Sequence, residues 1–234
     1  MKYVEWLRPA RTVPVTRWRC AGRWSPRPLG VIVLVVGLYI FGTGEAFMVN
    51  GALGVSPWTV LAQGVGSHLG IGVGWATFVI SGVVLLLWIP IKERPGFGTI
   101  ANAIIIALAL GVGVDVLPTP HTWVPQLAMA FAGIATIGIG SGLYLTTNLG
   151  PGPRDGWMTG IHHRTGWPVA GVRLGIEIVA LTIGWLLGGR VGVGTVLFAL
   201  LIGPSVAYGL KIVGVLAGRP TETEPDEDFP ELDA

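Results

Sequence analysis

Between residues 30 and 216 the chain carries only 12 Asp, Glu, Lys and Arg side chains in an otherwise apolar background. Ionisable groups in such a setting are costly to keep, so they are the first candidates for chemistry. Arg173 and Glu177 stand i and i+4, which places both on one helical face. There they either neutralise one another inside a bundle or offer an ion or substrate contact to a polar cavity. Glu45 lies toward the outer end of an earlier apolar run. Asp115 and Lys211 sit close enough to run ends to be solvated. Arg154 and Asp155 follow Gly152 and Pro153, an N-cap and N1-proline pattern of helix initiation. The free N–H groups and positive dipole end at such a start attract anions, a pull that Arg154 reinforces and Asp155 caps and partly cancels. Ser56 and Pro57 open a matching segment with Trp58 and Thr59 in those places, so any site there is asymmetric. Thr99 and Thr195, each after a glycine at the start of an apolar run, complete the candidates for substrate or ion contact. The glycines before them, Gly98 and Gly194, are expected to be approached closely by a neighbouring helix.

Enzyme signatures are absent from the sequence: there is no GxxxxGK[ST], HExxH or GxSxG, and no nucleophile and base pair. His68, His121, His162 and His163 lack metal-ligand spacing, and the single Cys20 excludes an internal disulfide framework or a CxxC site. No catalytic residue, metal or cofactor is expected, and the protein is read as a non-enzyme. The GIGSG run at 138–142 sits within an apolar segment, where Gly138 with Gly142, like Gly171 with Gly175 and Gly184 with Gly188, reads as helix packing.

Composition sets the environment of these residues. Of 234 residues, 51% are hydrophobic and 12% charged, about half the charge of an ordinary soluble domain. Sixteen of the 28 charged side chains lie before residue 30 or after residue 216. Residues 1–29 form a basic arm with seven Lys and Arg against Glu5, expected to be cytoplasmic and to rest on anionic inner-leaflet lipid rather than nucleic acid. Residues 217–234 form an acidic tail expected to be disordered. The apolar run from Gly30 is too long for the core of a cleaved signal peptide.

Six segments, at about 30–50, 71–91, 98–118, 123–147, 168–189 and 193–216, are long enough to cross roughly 30 Å of hydrocarbon. Segments 57–69 and 153–165 span only about 20 Å each and read as half-helices, re-entrant or interfacial. Sliding the chain against itself by 96 residues aligns Leu53, Gly54 and Pro57 with Leu149, Gly150 and Pro153, and Gly96, Gly98 and Thr99 with Gly192, Gly194 and Thr195. Positions 37–103 give 17 identities in 67, the mark of a duplicated unit. The same offset sets Thr77 and Ser81 against Arg173 and Glu177, so a polar patch from the first copy is expected to face the ion pair. The expected fold is all-α and polytopic: repeat 1 over 30–118 and repeat 2 over 119–216, each with three crossings and a half-helix. An odd number of crossings inverts the second copy. Six crossings with a cytoplasmic N-terminus put Lys92, Arg94, Arg154 and Arg164 inside and only Arg190 outside, whereas eight crossings with parallel repeats reverse that count. Both termini are therefore expected in the cytoplasm.

LGVSPW, PGFGTIAN at 95–102, GLYLTTNLGPGPRDGWM at 142–158 and GGRVGVGT at 188–195 resemble the YczE and YitT-type bacterial integral membrane proteins, the YczE branch above all, over residues 30–216. The resemblance implies a multi-spanning plasma-membrane protein without an established activity and lends no catalytic residues. The duplication favours a secondary-transporter-like protein that binds a small molecule or ion between two similar halves. The alternative is an accessory or scaffold membrane protein that acts through partners. Substrate and oligomeric state are not legible in the sequence.

This topology places Pro95 and residues 150–167 in the cytoplasm and residues 118–124 outside. Single cysteines introduced at these positions of a Cys20→Ala protein should follow that order when an impermeant maleimide is added to intact cells. Labelling of the 92–96 loop from outside would overturn the arrangement.

Overall fold

The computed structural model describes residues 13–218. The described residues form helices α1 (Pro28–Gly51), α2 (Pro57–Leu69), α3 (Val73–Leu86), α4 (Trp88–Ile91), α5 (Phe97–Val116), α6 (Trp123–Leu145), α7 (Pro153–Thr165), α8 (Val169–Leu186) and α9 (Val193–Ala217), with no strand among them. Five segments are long and apolar enough to cross a membrane: α1, Val73–Ile91 (α3 with α4), α5, α6 and α9. The stretch expected as a further crossing is α8, 18 residues long, which is not among the five. Pro90 explains the break between α3 and α4, since its ring clashes with the carbonyl four residues back and removes a helical N–H.

The two short segments are helices that start at Pro57 and Pro153. Ser56 caps the first, its hydroxyl accepting the Thr59 N–H at 3.4 Å, and Gly152 occupies the N-cap of the second. The turns that lead into them repeat in detail. Ala52 and Asn148 have φ 57° and 58°, and Gly54 and Gly150 have φ 110° and 114°, so a left-handed pair precedes each half-helix.

The core is built on α1 against α6, the most extensive helix contact in the molecule. A Cβ added at Gly37 would lie 3.0 Å from Gly140 O, and one at Gly44 would lie 2.8 Å from Gly133 O. Partners descend along α6 as they ascend along α1, so the two helices run antiparallel with backbones in contact, the approach that small residues permit where lipid supplies no hydrophobic drive. Helices α5 and α9 flank this pair. Gly138 and Gly142 do pack, against Ser205 and Gly209 of α9; Gly184 packs against Leu61, but Gly188, past the end of α8, meets nothing within 4 Å, so that pair is not a packing pair. A Cβ at Gly175 would meet nothing within 4 Å and one at Gly171 only its neighbour Pro168, so the expected Gly171 and Gly175 contact is not formed. These two lie on the outer face of α8, exposed with Leu174 and Ile178.

Two hydrogen bonds tie the half-helix loops to the opposite sequence copy: Gly98 N–H donates to Leu149 O at 2.7 Å, and Gly194 N–H donates to Leu53 O at 2.7 Å. Gly98 and Gly194 are thus approached by a loop, not by the neighbouring helix that spacing predicts. The part of the basic arm from residue 13 onward folds onto the protein: Trp18 Nε1 donates to Thr146 Oγ1 at 3.0 Å, Cys20 N–H donates to Thr147 O at 3.0 Å, and Trp24 Nε1 donates to Pro95 O at 3.0 Å. Residues 1–12 of the arm and 219–234 of the acidic tail lie outside the described residues.

A Cβ at Gly98 would sit 2.9 Å from Leu149 O, and one at Gly194 would collide with Gly54 O, both backbone atoms that cannot step aside. Gly98→Leu and Gly194→Leu should each destabilise the protein by about 1–3 kcal/mol or more, read as lower thermal stability in detergent. Gly175→Ala should stay within about 0.5 kcal/mol of the parent.

Candidate functional site: a cavity where the two half-helices meet

Glu45, in the second half of α1, is 1% exposed and faces the first turn of α2. Ser56 Oγ lies 3.0 and 2.9 Å from its two carboxylate oxygens, and Thr59 Oγ1 donates to Oε2 at 2.7 Å. The carboxylate meets the positive end of the half-helix dipole and stabilises it. At the equivalent positions of the second copy the groups are exchanged. Ser141 stands on α6 where Glu45 stands on α1, and Asp155 occupies the first turn of α7 where Thr59 occupies that of α2. Tyr144 OH donates to Asp155 Oδ2 at 3.1 Å. One half-helix start is closed over a buried acid, and the other carries its own acid, half-buried, in its first turn.

The two starts face each other. The Arg154 guanidinium lies 5.2 Å from the centre of the Trp58 ring, a cation–π contact between the first turns of α7 and α2. The buried Trp88 anchors α7 from outside by donating Nε1 to Pro153 O at 2.9 Å. Between the starts lies a cavity of about 350 Å³, with α1, α2, α5, α6, α7, α8 and α9 all represented in its wall. Its apolar side is formed by Phe41, Ile106, Ile137, Phe198 and Ile202. Its polar side is formed by Asn102, Ser141, Tyr144, Arg154, Asp155, Arg173 and Glu177. Cations and carboxylates thus share a mostly apolar chamber, a wall suited to a small molecule with an apolar body and an ionised group.

Four candidates read from the sequence, Arg154, Asp155, Arg173 and Glu177, come together here. Arg173 Nε donates to Glu177 Oε1 at 3.1 Å, but the side chains are 52% and 30% exposed. The expectation of a pair in the dry interior is therefore corrected: α8 turns Val172 and Ala180 inward, and Arg173 and Glu177, one register round from that stripe, sit at the rim. Glu45 lies behind the cavity wall formed by Pro57 and Trp58. Thr99 and Thr195 are buried away from the cavity. Thr99 Oγ1 accepts from Gly96 N–H at 3.1 Å and donates to Pro151 O at 2.7 Å, and Thr195 Oγ1 accepts from Gly192 N–H at 3.3 Å, so both serve as helix caps. Thr77 and Ser81 do not face the ion pair; they line a separate gap of about 10 Å³ beside Trp58 and Arg154. Asp115 is exposed at the end of α5. Sequence reasoning missed Asn102, Ser141 and Tyr144 as wall residues. Ser141 carried a signal, since it occupies the position of Glu45 in the other copy.

The buried glycine-packed helices, the exposed apolar outer faces and this mostly apolar chamber with a charged side define a multi-pass helical membrane protein with an internal cavity. The chain belongs to the family of unknown function DUF6198, which matches residues 29–211. It is 41% identical over 212 residues to an uncharacterized protein of Haemophilus influenzae, covering 91% of this chain and 97% of the relative. It is 32% identical over 189 residues to the uncharacterized membrane protein YczE of Bacillus subtilis, covering 80% and 85%, and 26% identical over 185 residues to the uncharacterized protein YyaS of the same organism, covering 76% and 90%. No solved structure matches the chain. The YczE-type membership implied by the LGPGPRD and GVGT segments is thereby established.

An ion pair as exposed as Arg173 with Glu177 contributes about 0–1 kcal/mol. Arg173→Met and Glu177→Leu should each cost no more than that in thermal unfolding. Glu45→Leu removes the acceptor of two buried hydroxyls; Ser56 Oγ can still donate to Thr59 Oγ1 at 3.0 Å, so the Thr59 hydroxyl proton is left unpaired at a cost of about 1–3 kcal/mol.

Proposed function

We propose that this protein is a bacterial plasma-membrane transporter that moves a small molecule or ion by alternating access, built from six crossings in two inverted repeats with both termini in the cytoplasm. The observation that carries the reading is the cavity of about 350 Å³, walled by residues of both sequence copies at the point where the half-helix starts meet. Repeat-related discontinuous helices that converge on a central chamber are the usual architecture of secondary transporters. The antiparallel register of α1 on α6 supports inversion, because Gly37 with Gly140 and Gly44 with Gly133 are pairs that an axis in the membrane plane would exchange. The two 2.7 Å clamps at Leu149 and Leu53 obey the same exchange. In this topology α8 is the sixth crossing, the rim residues Arg173 and Glu177 lie toward the cytoplasm, and the chamber opens inward.

The protein moves its substrate without transforming it and uses no cofactor. Its substrate is a small molecule whose ionised group meets Arg154, Asp155 or the Arg173 and Glu177 pair. The exposed Arg17, Trp24 and Arg27 of the folded arm rest against anionic inner-leaflet lipid.

Thermal stabilisation of the purified protein across a panel of charged metabolites tests the reading. A ligand at about a hundred times its dissociation constant adds roughly 2.7 kcal/mol, a shift of several degrees that Ser141→Phe, which fills the chamber, should abolish. If no ligand shifts the wild type and Ser141→Phe keeps the cellular phenotype of the parent, the scaffold alternative replaces transport.

A further inference from the structure

The transport reading leaves the class of its substrate open. We propose that the chamber binds a zwitterion with both charges on one carbon of an apolar body, the chemistry of a free α-amino acid with an aliphatic or aromatic side chain; this deepens the transport reading and rests on it. Four polar groups in the wall, all left short of partners by the protein, carry the assignment. Arg173 and Glu177 are not among them, since they neutralise one another at the rim. Arg154 has five N–H donors and, among the described residues, only the Trp58 ring as a partner. Asp155 accepts a single side-chain hydrogen bond, from Tyr144. The two are consecutive residues in the first turn of α7, about 100° apart round its axis, and no ion pair joins them. Asn102 and Ser141 are 9% and 4% exposed and line the same chamber, yet neither side chain has a hydrogen-bond partner among the described residues. No side-chain polar atom sealed from solvent is left unpaired among those residues, so the unpaired amide and hydroxyl are atoms that open on the chamber.

Buried polar groups without partners are costly, and two of them beside an uncommitted cation and an uncommitted acid form a set that a ligand completes. The set selects the charge of that ligand. A lone anion would satisfy Arg154 and leave the Asp155 charge unpaired in a mostly apolar chamber, and a lone cation would do the reverse. A ligand with both charges on one carbon satisfies the two together. Its carboxylate accepts from the Arg154 guanidinium, with the Asn102 amide or Ser141 hydroxyl as a further donor, and its ammonium donates to the Asp155 oxygen that Tyr144 leaves free. Gly152 keeps space for this group. Its φ of −61° is open to any residue, so glycine is not there for backbone conformation, whereas a Cβ would stand 3.1 Å from Asn102 Nδ2 and 3.2 Å from Asp155 Oδ2, against both amide and acid. The apolar body of the ligand meets the side of the chamber formed by Phe41, Ile137 and Phe198. A volume of about 350 Å³, near the lower end of the roughly 300–1,000 Å³ of small-molecule sites, suits a single amino acid.

Thermal unfolding of the purified full-length protein at neutral pH tests the assignment with L-leucine, N-acetyl-L-leucine, which keeps only the negative charge, L-leucinamide, which keeps only the positive one, and the dipeptide leucyl-leucine, in which a peptide unit separates the two. L-leucine should raise the unfolding midpoint by several degrees. Each of the others should bind at least about tenfold more weakly, because it lacks or displaces one charge-assisted hydrogen bond. Asp155→Asn should weaken L-leucine by a similar factor and spare N-acetyl-L-leucine, and Arg154→Gln should weaken L-leucine and spare L-leucinamide. Ser141→Ala removes a hydroxyl that bonds nothing in the protein, so it should unfold at the temperature of the parent without ligand and still lose part of the L-leucine shift. That variant keeps the test decisive if a charge variant does not fold. N-acetyl-L-leucine or L-leucinamide binding as tightly as L-leucine overturns the zwitterion in favour of an anion or a cation site. Tighter binding of leucyl-leucine overturns the placing of both charges on one carbon, and an L-leucine shift that survives both Asp155→Asn and Arg154→Gln overturns the site. No shift with any of these probes overturns the assignment and leaves transport to be judged on the wider metabolite panel. L-leucine that binds but is not carried into proteoliposomes overturns transport alone.

Discussion

A helix that begins inside a membrane protein exposes unpaired backbone groups where water cannot satisfy them, and the rest of this structure depends on how that constraint is met. Both half-helices start at buried positions, Pro57 and Pro153. The loops that deliver them are held by the opposite copy, through Gly98 N–H to Leu149 O and Gly194 N–H to Leu53 O. Those bonds fix the depth of each start, and depth decides which side chains reach the chamber. Pro57 and Trp58 form its wall on one side, and Pro153, Arg154 and Asp155 on the other. Without the clamps neither acid would be opposite its hydroxyl.

Much of this frame was legible in the sequence because it depends on backbone contact. Where main chains touch, only glycine fits, and where a loop turns left-handed, glycine or asparagine is favoured. Gly37, Gly44, Gly98 and their counterparts could therefore be found by sliding the chain against itself, and prolines marked the half-helix starts to the residue. The cavity wall was less legible, because it depends on helix rotation. Apolar residues surround Arg173 and Glu177 on every side, so periodicity did not distinguish an inward from a rim position, and only the buried stripe of Val172 and Ala180 fixes the rotation of α8. Thr99 and Thr195 misled in the opposite sense: a hydroxyl at a helix start reads equally as ligand or cap, and the loop that occupies it comes from a distant part of the chain.

The differences between the copies are as ordered as the similarities. At one crossed contact Gly184 of α8 receives Val60 and Leu61 of α2; at the corresponding contact Gly156 of α7 receives the Trp88 ring from α4. Bulk and glycine have changed sides, so each contact stays filled although neither position is conserved between copies. Acid and hydroxyl also change places between the copies, Glu45 and Thr59 in one standing where Ser141 and Asp155 stand in the other, although Asp155 takes its hydrogen bond from Tyr144. A close-packed interior tolerates substitution best when paired volumes are kept. Volume is therefore kept across such pairs, while identities such as Gly37 with Gly133, Gly44 with Gly140 and Gly98 with Gly194 sit at backbone contacts that admit no compensation. The divergence falls where the chamber needs unlike walls: an interior of identical halves would place the same acid on both sides. The exchanged positions instead leave Glu45 buried and Asp155 half-buried in the chamber wall.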